Sequence, residues 1–222
     1  MPPPSGRRND CRTGSQPRRR RPFRFEDGQS LVEFSLVFPL FLILLLSVLE
    51  FGFAFNALLS VNYASRDAAL TAAEAGNMTN GDCHVLRTIE ADVTSPADRG
   101  QINEVEIAWT DANGTVKVVS GTPKANRWTR GGSTTCTITG IPTFTIPYTL
   151  AATNYPATER CSNLQGCPLL PGHSPSVDTV AVRITYTYPL KTPLRNFIGT
   201  LGATGGSYVF TQSNAMRMEP IL

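Results

Sequence analysis

Histidine is nearly missing from this chain: His84 and His173 are the only two among 222 residues. Neither lies beside a serine or cysteine motif of catalytic type, and the sequence has no phosphate-binding loop and no metal-ligand spacing. An enzyme is therefore not expected, nor a cofactor, nor a small-molecule substrate. A zinc site built from Cys161, Cys167 and His173 is a weak alternative, because those spacings are too wide for a zinc knuckle. Basic residues are also scarce once the first stretch is passed. Residues 1–27 hold eight arginines against three acids, a net of +5, so the whole-chain charge of +3 leaves −2 for residues 28–222. A folded nucleic-acid-binding surface needs its basic patch on the body, and the body is close to neutral. Long apolar runs are lacking everywhere but one place, and that place organises the rest.

The run lies in EDGQSLVEFSLVFPLFLILLLSVLEFG, residues 26–52. From Phe34 to Leu49 there are sixteen uncharged residues, thirteen of them Leu, Ile, Val or Phe. Extended to Phe55 the helix spans roughly 33 Å, enough for a bilayer core. Thirteen such side chains contribute roughly −4 to −8 kcal/mol to insertion, against about +3 kcal/mol for a central carboxylate. Insertion wins even with Glu33 and Glu50 near the two boundaries. Eight arginines precede the run, and only Arg66 and Arg87 follow within the next forty residues. The positive-inside bias keeps the N-terminus cytoplasmic and exports the C-terminal body.

Four parts are expected: residues 1–28, a disordered Arg-rich cytoplasmic leader; 29–55, a transmembrane helix bent at Pro39; 56–76, its extension; and 77–222, an exported α+β domain. In the extension Ala57, Val61, Ala64, Ala68 and Ala72 recur at helical spacing. This small-residue stripe packs closely against the protein's own body or a neighbouring subunit. With Gly76 as its stop, one helix runs from about Leu31 to Ala75. A second, Asp82–Val93, has Asp82 as its cap and Val85, Leu86, Ile89 and Val93 on one face. Beyond Pro96 the texture is that of strands. VEIAWTDANGTVKVV reads as a hairpin turning at Asn113-Gly114. CTITG and FTIPYTL are proline-interrupted edge or loop candidates. VDTVAVRITYTYPL alternates, with Val180, Val182, Ile184, Tyr186 and Tyr188 on one face, and SYVFTQSNAMRME is the last strand. Gly121 to Ser133 and Thr153 to Ser176 read as loops, with Lys124, Arg127 and Arg130 making a small basic loop around Trp128. Trp109 reads as core, and Glu104 and Asp178 as surface or strand-end charges.

Cys11 falls in the leader, and the other four cysteines, Cys83, Cys136, Cys161 and Cys167, fall in the exported body. An even number in an oxidising compartment suggests two disulfides, for which three connectivities exist. Cys161 with Cys167, closing a short loop, and Cys83 with Cys136 is the preferred pairing; free buried thiols are the alternative.

GQSLVEF, Gly28 to Phe34, resembles the processing site of type IV pilin-like precursors: a basic leader ending in glycine, then a mature chain whose fifth residue is glutamate within an apolar helix. More narrowly, GQSLVEFSLVFPLFLILLLSVLEFGFAFN resembles the TadE family, pseudopilins of the tight-adherence pilus system, in its VEF, in Pro39 and in the closing EFG of Glu50 to Gly52. VAVRITYTYPLKTPLRNF and the terminal AMRMEP are similar to the closing segments of TadE-like proteins. The resemblance implies cleavage between Gly28 and Gln29 by a prepilin-type peptidase. It further implies assembly through Glu33, Phe34 and Pro39 with other pilin or Tad-system subunits in the bacterial inner membrane. Glycine lets a peptidase approach the backbone closely. An intramembrane Glu33 is expected to pair with the Gln29 amine of a neighbour, although a headgroup-level carboxylate with no partner is the plainer reading. Two rivals remain. RRPFRF loosely resembles a twin-arginine export signal, but no A-x-A cleavage site ends the run. The other rival is an uncleaved single-pass protein displaying an adhesive or sensory domain.

Overall fold

A computed structural model describes residues 26–163, 166–167, 176–193, 196 and 206–218. The arginine leader, Cys11, His173 and the end of AMRMEP lie outside the described residues. The architecture is α+β: a long apolar N-terminal helix followed by a sheet-rich domain. It divides into two compact units, residues 1–42 and 43–222.

Helix α1 runs Glu26–Ala75 with Pro39 inside it. It starts five residues before the expected Leu31, so Gly28 lies within its first turns. Gly76, at φ +53°, stops it. Over residues 28–42 the side chains are almost all exposed, and one helix, starting near the N-terminus, is long and apolar enough to cross a membrane. Within the second unit the stripe Ala57, Val61, Ala64, Ala68 and Ala72 is fully buried. Its partners are the protein's own: Val85, Leu86 and Ile89 of α2 (Gly81–Asp92) and the core faces of the sheet. Small side chains let the helix lie close against these larger ones without leaving voids.

The five-stranded sheet has the order β5-β4-β1-β6-β7 with every neighbouring pair antiparallel. Its strands are β1 (Ile102–Thr110), β4 (Ala125–Ile138), β5 (Ile141–Thr153), β6 (Thr179–Pro189) and β7 (Ser207–Arg217). Strand β6 buries Val180, Val182, Ile184, Tyr186 and Tyr188, the face its alternation predicts.

Several expectations need correction. The turn at Asn113-Gly114 exists, with Asp111 Oδ1 accepting from the amides of Asn113 and Thr115, both at 2.9 Å. The returning chain leaves β1 after Lys117, however, to form the small ribbon β2 (Val118–Val119) and β3 (Thr122–Pro123). The strand beside β1 is β4, which occupies much of the expected Gly121–Ser133 loop. Gly131 and Gly132 are not loop punctuation: they sit where the β4–β5 register shifts between Arg130 and Thr134. A Cβ on Gly132 would lie 1.5 Å from Thr149 Oγ1, so only glycine fits there. Trp128 is consequently core rather than loop. The basic residues around it are paired: Lys124 with Glu159 at 2.9 Å, Arg130 with Glu90 at 2.5 Å, and Arg127 with Glu104 at 3.5 Å.

Candidate functional site: two carboxylates on one helix

At the start of α1, Gly28 has nothing within 4 Å of where a side chain would stand. A peptidase would have to unwind this first turn; helix ends fray, and glycine weakens a helix by roughly 1 kcal/mol relative to alanine. Glu33 is exposed, and its one described side-chain contact is local: Gln29 Nε2 donates to Oε1 at 3.1 Å. It is therefore not unpartnered. Phe34 stacks on Phe38 one turn on, with centroids 5.2 Å apart. Pro39 removes the amide that would bond the Ser35 carbonyl, the cause of any bend there.

Glu50 is arranged in the opposite way. It is 4% exposed, although its neighbours on the helix are bare. The Tyr188 hydroxyl donates to Oε1 at 2.7 Å and the Lys191 amide donates to the same oxygen at 3.0 Å. The Thr192 amide donates to Oε2 at 2.7 Å. Burial, then the facing carboxylate, pushes the Tyr188 phenol well above its ordinary range, so it remains a donor. Three donors from the end of β6 thus converge on a charge that the sequence places at a membrane boundary. Taking a carboxylate out of water is tolerable only when its lone pairs are filled, and here the end of β6 and the residues just after it fill them. The EFG motif marked the position; the donors, about 140 residues away, lie in VAVRITYTYPLKTPLRNF, whose likeness did not say what they bind.

A second buried polar group was misread as a cap. Asp82 sits inside the first turn of α2, whose N-cap is Asn80 in the left-handed conformation. Asp82 accepts from Asn126 Nδ2 at 2.8 Å and Trp128 Nε1 at 3.1 Å, and pairs with the fully buried Arg160. Asp178, expected at the surface, is 2% exposed and accepts from the Tyr155 hydroxyl at 2.7 Å and the Cys161 amide at 2.9 Å. These contacts tie α2, β4 and the segment before β6 together. Cys83 is bonded to Cys136 and Cys161 to Cys167, which removes both thiols of the zinc alternative.

Residues 28–70 match the family model described as TadE-like protein. The likeness read from GQSLVEF therefore holds over the segment that carries both Glu33 and Glu50. No curated protein and no solved structure matches the chain.

Proposed function

We propose that this Tad-type pilus-related membrane protein, TadE-like over residues 28–70, is a pseudopilin: a minor structural or assembly subunit, cleaved after Gly28 and joined to other subunits through its apolar helix. The leader's arginines keep the N-terminus cytoplasmic, and the disulfide-bearing body stands on the outer side of the inner membrane. A prepilin-type peptidase removes the leader and frees the α-amine of Gln29. That amine is cationic at neutral pH. Glu33 of one subunit then accepts from the Gln29 amine of the next, which offsets the cost of the carboxylate and fixes the register between helices.

The observation that carries this reading is the contrast along α1. Glu50 is satisfied within the chain, whereas the one described side-chain partner of Glu33 is Gln29 on the same exposed apolar helix. The N-terminal residue of the membrane-extracted protein tests it. Gln29 supports the pseudopilin, and Met1 in cells that hold the peptidase leaves an uncleaved, anchored adhesive or sensory domain. A Gly28→Trp precursor is expected to stay full length. Glu33→Ala is expected to be cleaved normally but to be missing from sheared pilus fractions; normal incorporation would refute the pairing.

A further inference from the structure

The two edges of the sheet are built differently. Strand β5 carries Pro142 and Pro147, and its pairing with β4 shifts register in three places. Prolines and bulges are the usual means of stopping a second chain from adding to an edge. Strand β7 has neither. All eleven of its residues pair with β6 in one unbroken register, and Arg217, at its very end, is its sole charge. Its inward amides and carbonyls are identified by the bonds at both ends: Met218 N donates to Asp178 O at 2.8 Å and Leu190 N donates to Gly206 O at 2.9 Å. Even-numbered residues therefore turn their backbone groups toward β6. The odd-numbered Val209, Thr211, Ser213 and Ala215 turn theirs away from the sheet. Beside that edge lies a groove of about 280 Å³, lined by Tyr63, Arg66, Asp67, Leu70 and Met216. Tyr63, Tyr208 and Val209 are 66%, 65% and 55% exposed.

Strand β7 also has a definite direction. Tyr208 pairs with Tyr188, whose hydroxyl holds Glu50, and Asn214 Nδ2 donates to the Asn62 carbonyl at 3.3 Å and to Ser65 Oγ at 2.6 Å. The strand rises alongside α1 in the same sense as the helix. Copies anchored in one membrane therefore all present β7 rising from it. They cannot make the twofold antiparallel pair by which identical edges join. Edge-to-edge addition of β7 to the β5 of a neighbour meets the prolines.

We infer that the outer edge of β7, which no strand covers among the described residues, is a docking site for an extended segment of a different exported polypeptide, which adds as a sixth, antiparallel strand. Its side chains alternate, apolar ones entering the groove against α1 and polar ones lying beside Thr211 and Ser213. The inference rests on the anchored, exported body proposed above and not on cleavage after Gly28.

The test is photocrosslinking of the full chain in the envelope of its own cells, with Val209→p-benzoylphenylalanine on the open edge and Thr145→p-benzoylphenylalanine on β5 as control. The expected result is an adduct at Val209 only, containing a peptide of another protein with period-two alternation. That peptide, synthesised, should slow hydrogen exchange of the Thr211, Ser213 and Ala215 amides at least tenfold in the purified protein. Ser213→Pro removes one outward N–H and leaves the β6 ladder whole; it should abolish the adduct, and Thr211→Lys should weaken it. An adduct with a second copy, an adduct indifferent to Ser213→Pro, no amide protection, or no adduct would each overturn the inference. None of those outcomes bears on where the N-terminus is cut.

Discussion

Two stretches of α1, one around Glu33 and one from Glu50 onward, treat a glutamate in an apolar setting differently. Around Glu33 the one described side-chain partner is Gln29, and the apolar neighbours are bare. From Glu50 onward three donors meet the carboxylate, and the stripe from Ala57 to Ala72 is sealed against α2 and the sheet. A charge in an apolar helix costs less to bury where the fold supplies its donors, and Glu50 has them from residues about 140 positions away.

The largest perturbation should separate the two stretches outright. Replacing Cys83 and Cys136 together by alanine opens a loop with a sequence separation of 53. By chain entropy this costs about 4 kcal/mol, all of it from the sheet-rich body. Circular dichroism in detergent should show the sheet melting early while α1 keeps its helicity; joint melting would erase the division. Glu50→Ala comes next. It strands the Tyr188 hydroxyl and two amides, at about 3 kcal/mol, or a fall in Tm of roughly 6–12 °C, and Glu50→Gln should recover part of it.

A smaller effect has a pH signature. Burial and the neighbouring Asp67 push Asp92 up to about 6 from 3.8. A carboxyl raised in the folded state contributes stability that is present below pH ~4 and lost as pH rises through about 6. Asp92→Asn should therefore leave stability unchanged at pH 4 and raise it by ~1 kcal/mol at pH 7.5, read from denaturant midpoints. Glu33→Ala should be the smallest, within ~0.5 kcal/mol by thermal melting, because its one described side-chain contact is an exposed bond to Gln29 on the same helix. A Glu33 effect as large as that of Glu50 would dissolve the contrast between them.

Legibility in the sequence followed the range of the interactions. The apolar run, the stripe on α1 and the alternation in β6 depend on neighbours within a few residues, and the structure has each of them. Asp82, Asp178 and the strand through Trp128 were misjudged because their partners are distant in the chain. A charged or glycine-containing segment considered by itself reads as surface. Asp82 Oδ2, for example, is reached from Asn126 and Trp128, 44 and 46 residues on.

Alone, then, the sequence determined that one stretch near the N-terminus is a helix long and apolar enough to cross a membrane, that Gly28 and Glu33 stand five residues apart at its start, and that an α+β body follows. These are matters of local hydropathy and spacing. Only the tertiary structure decided that the body claims Glu50 and which strands lie at the edges of the described sheet, because both depend on donors and strands that folding brings together from distant parts of the chain.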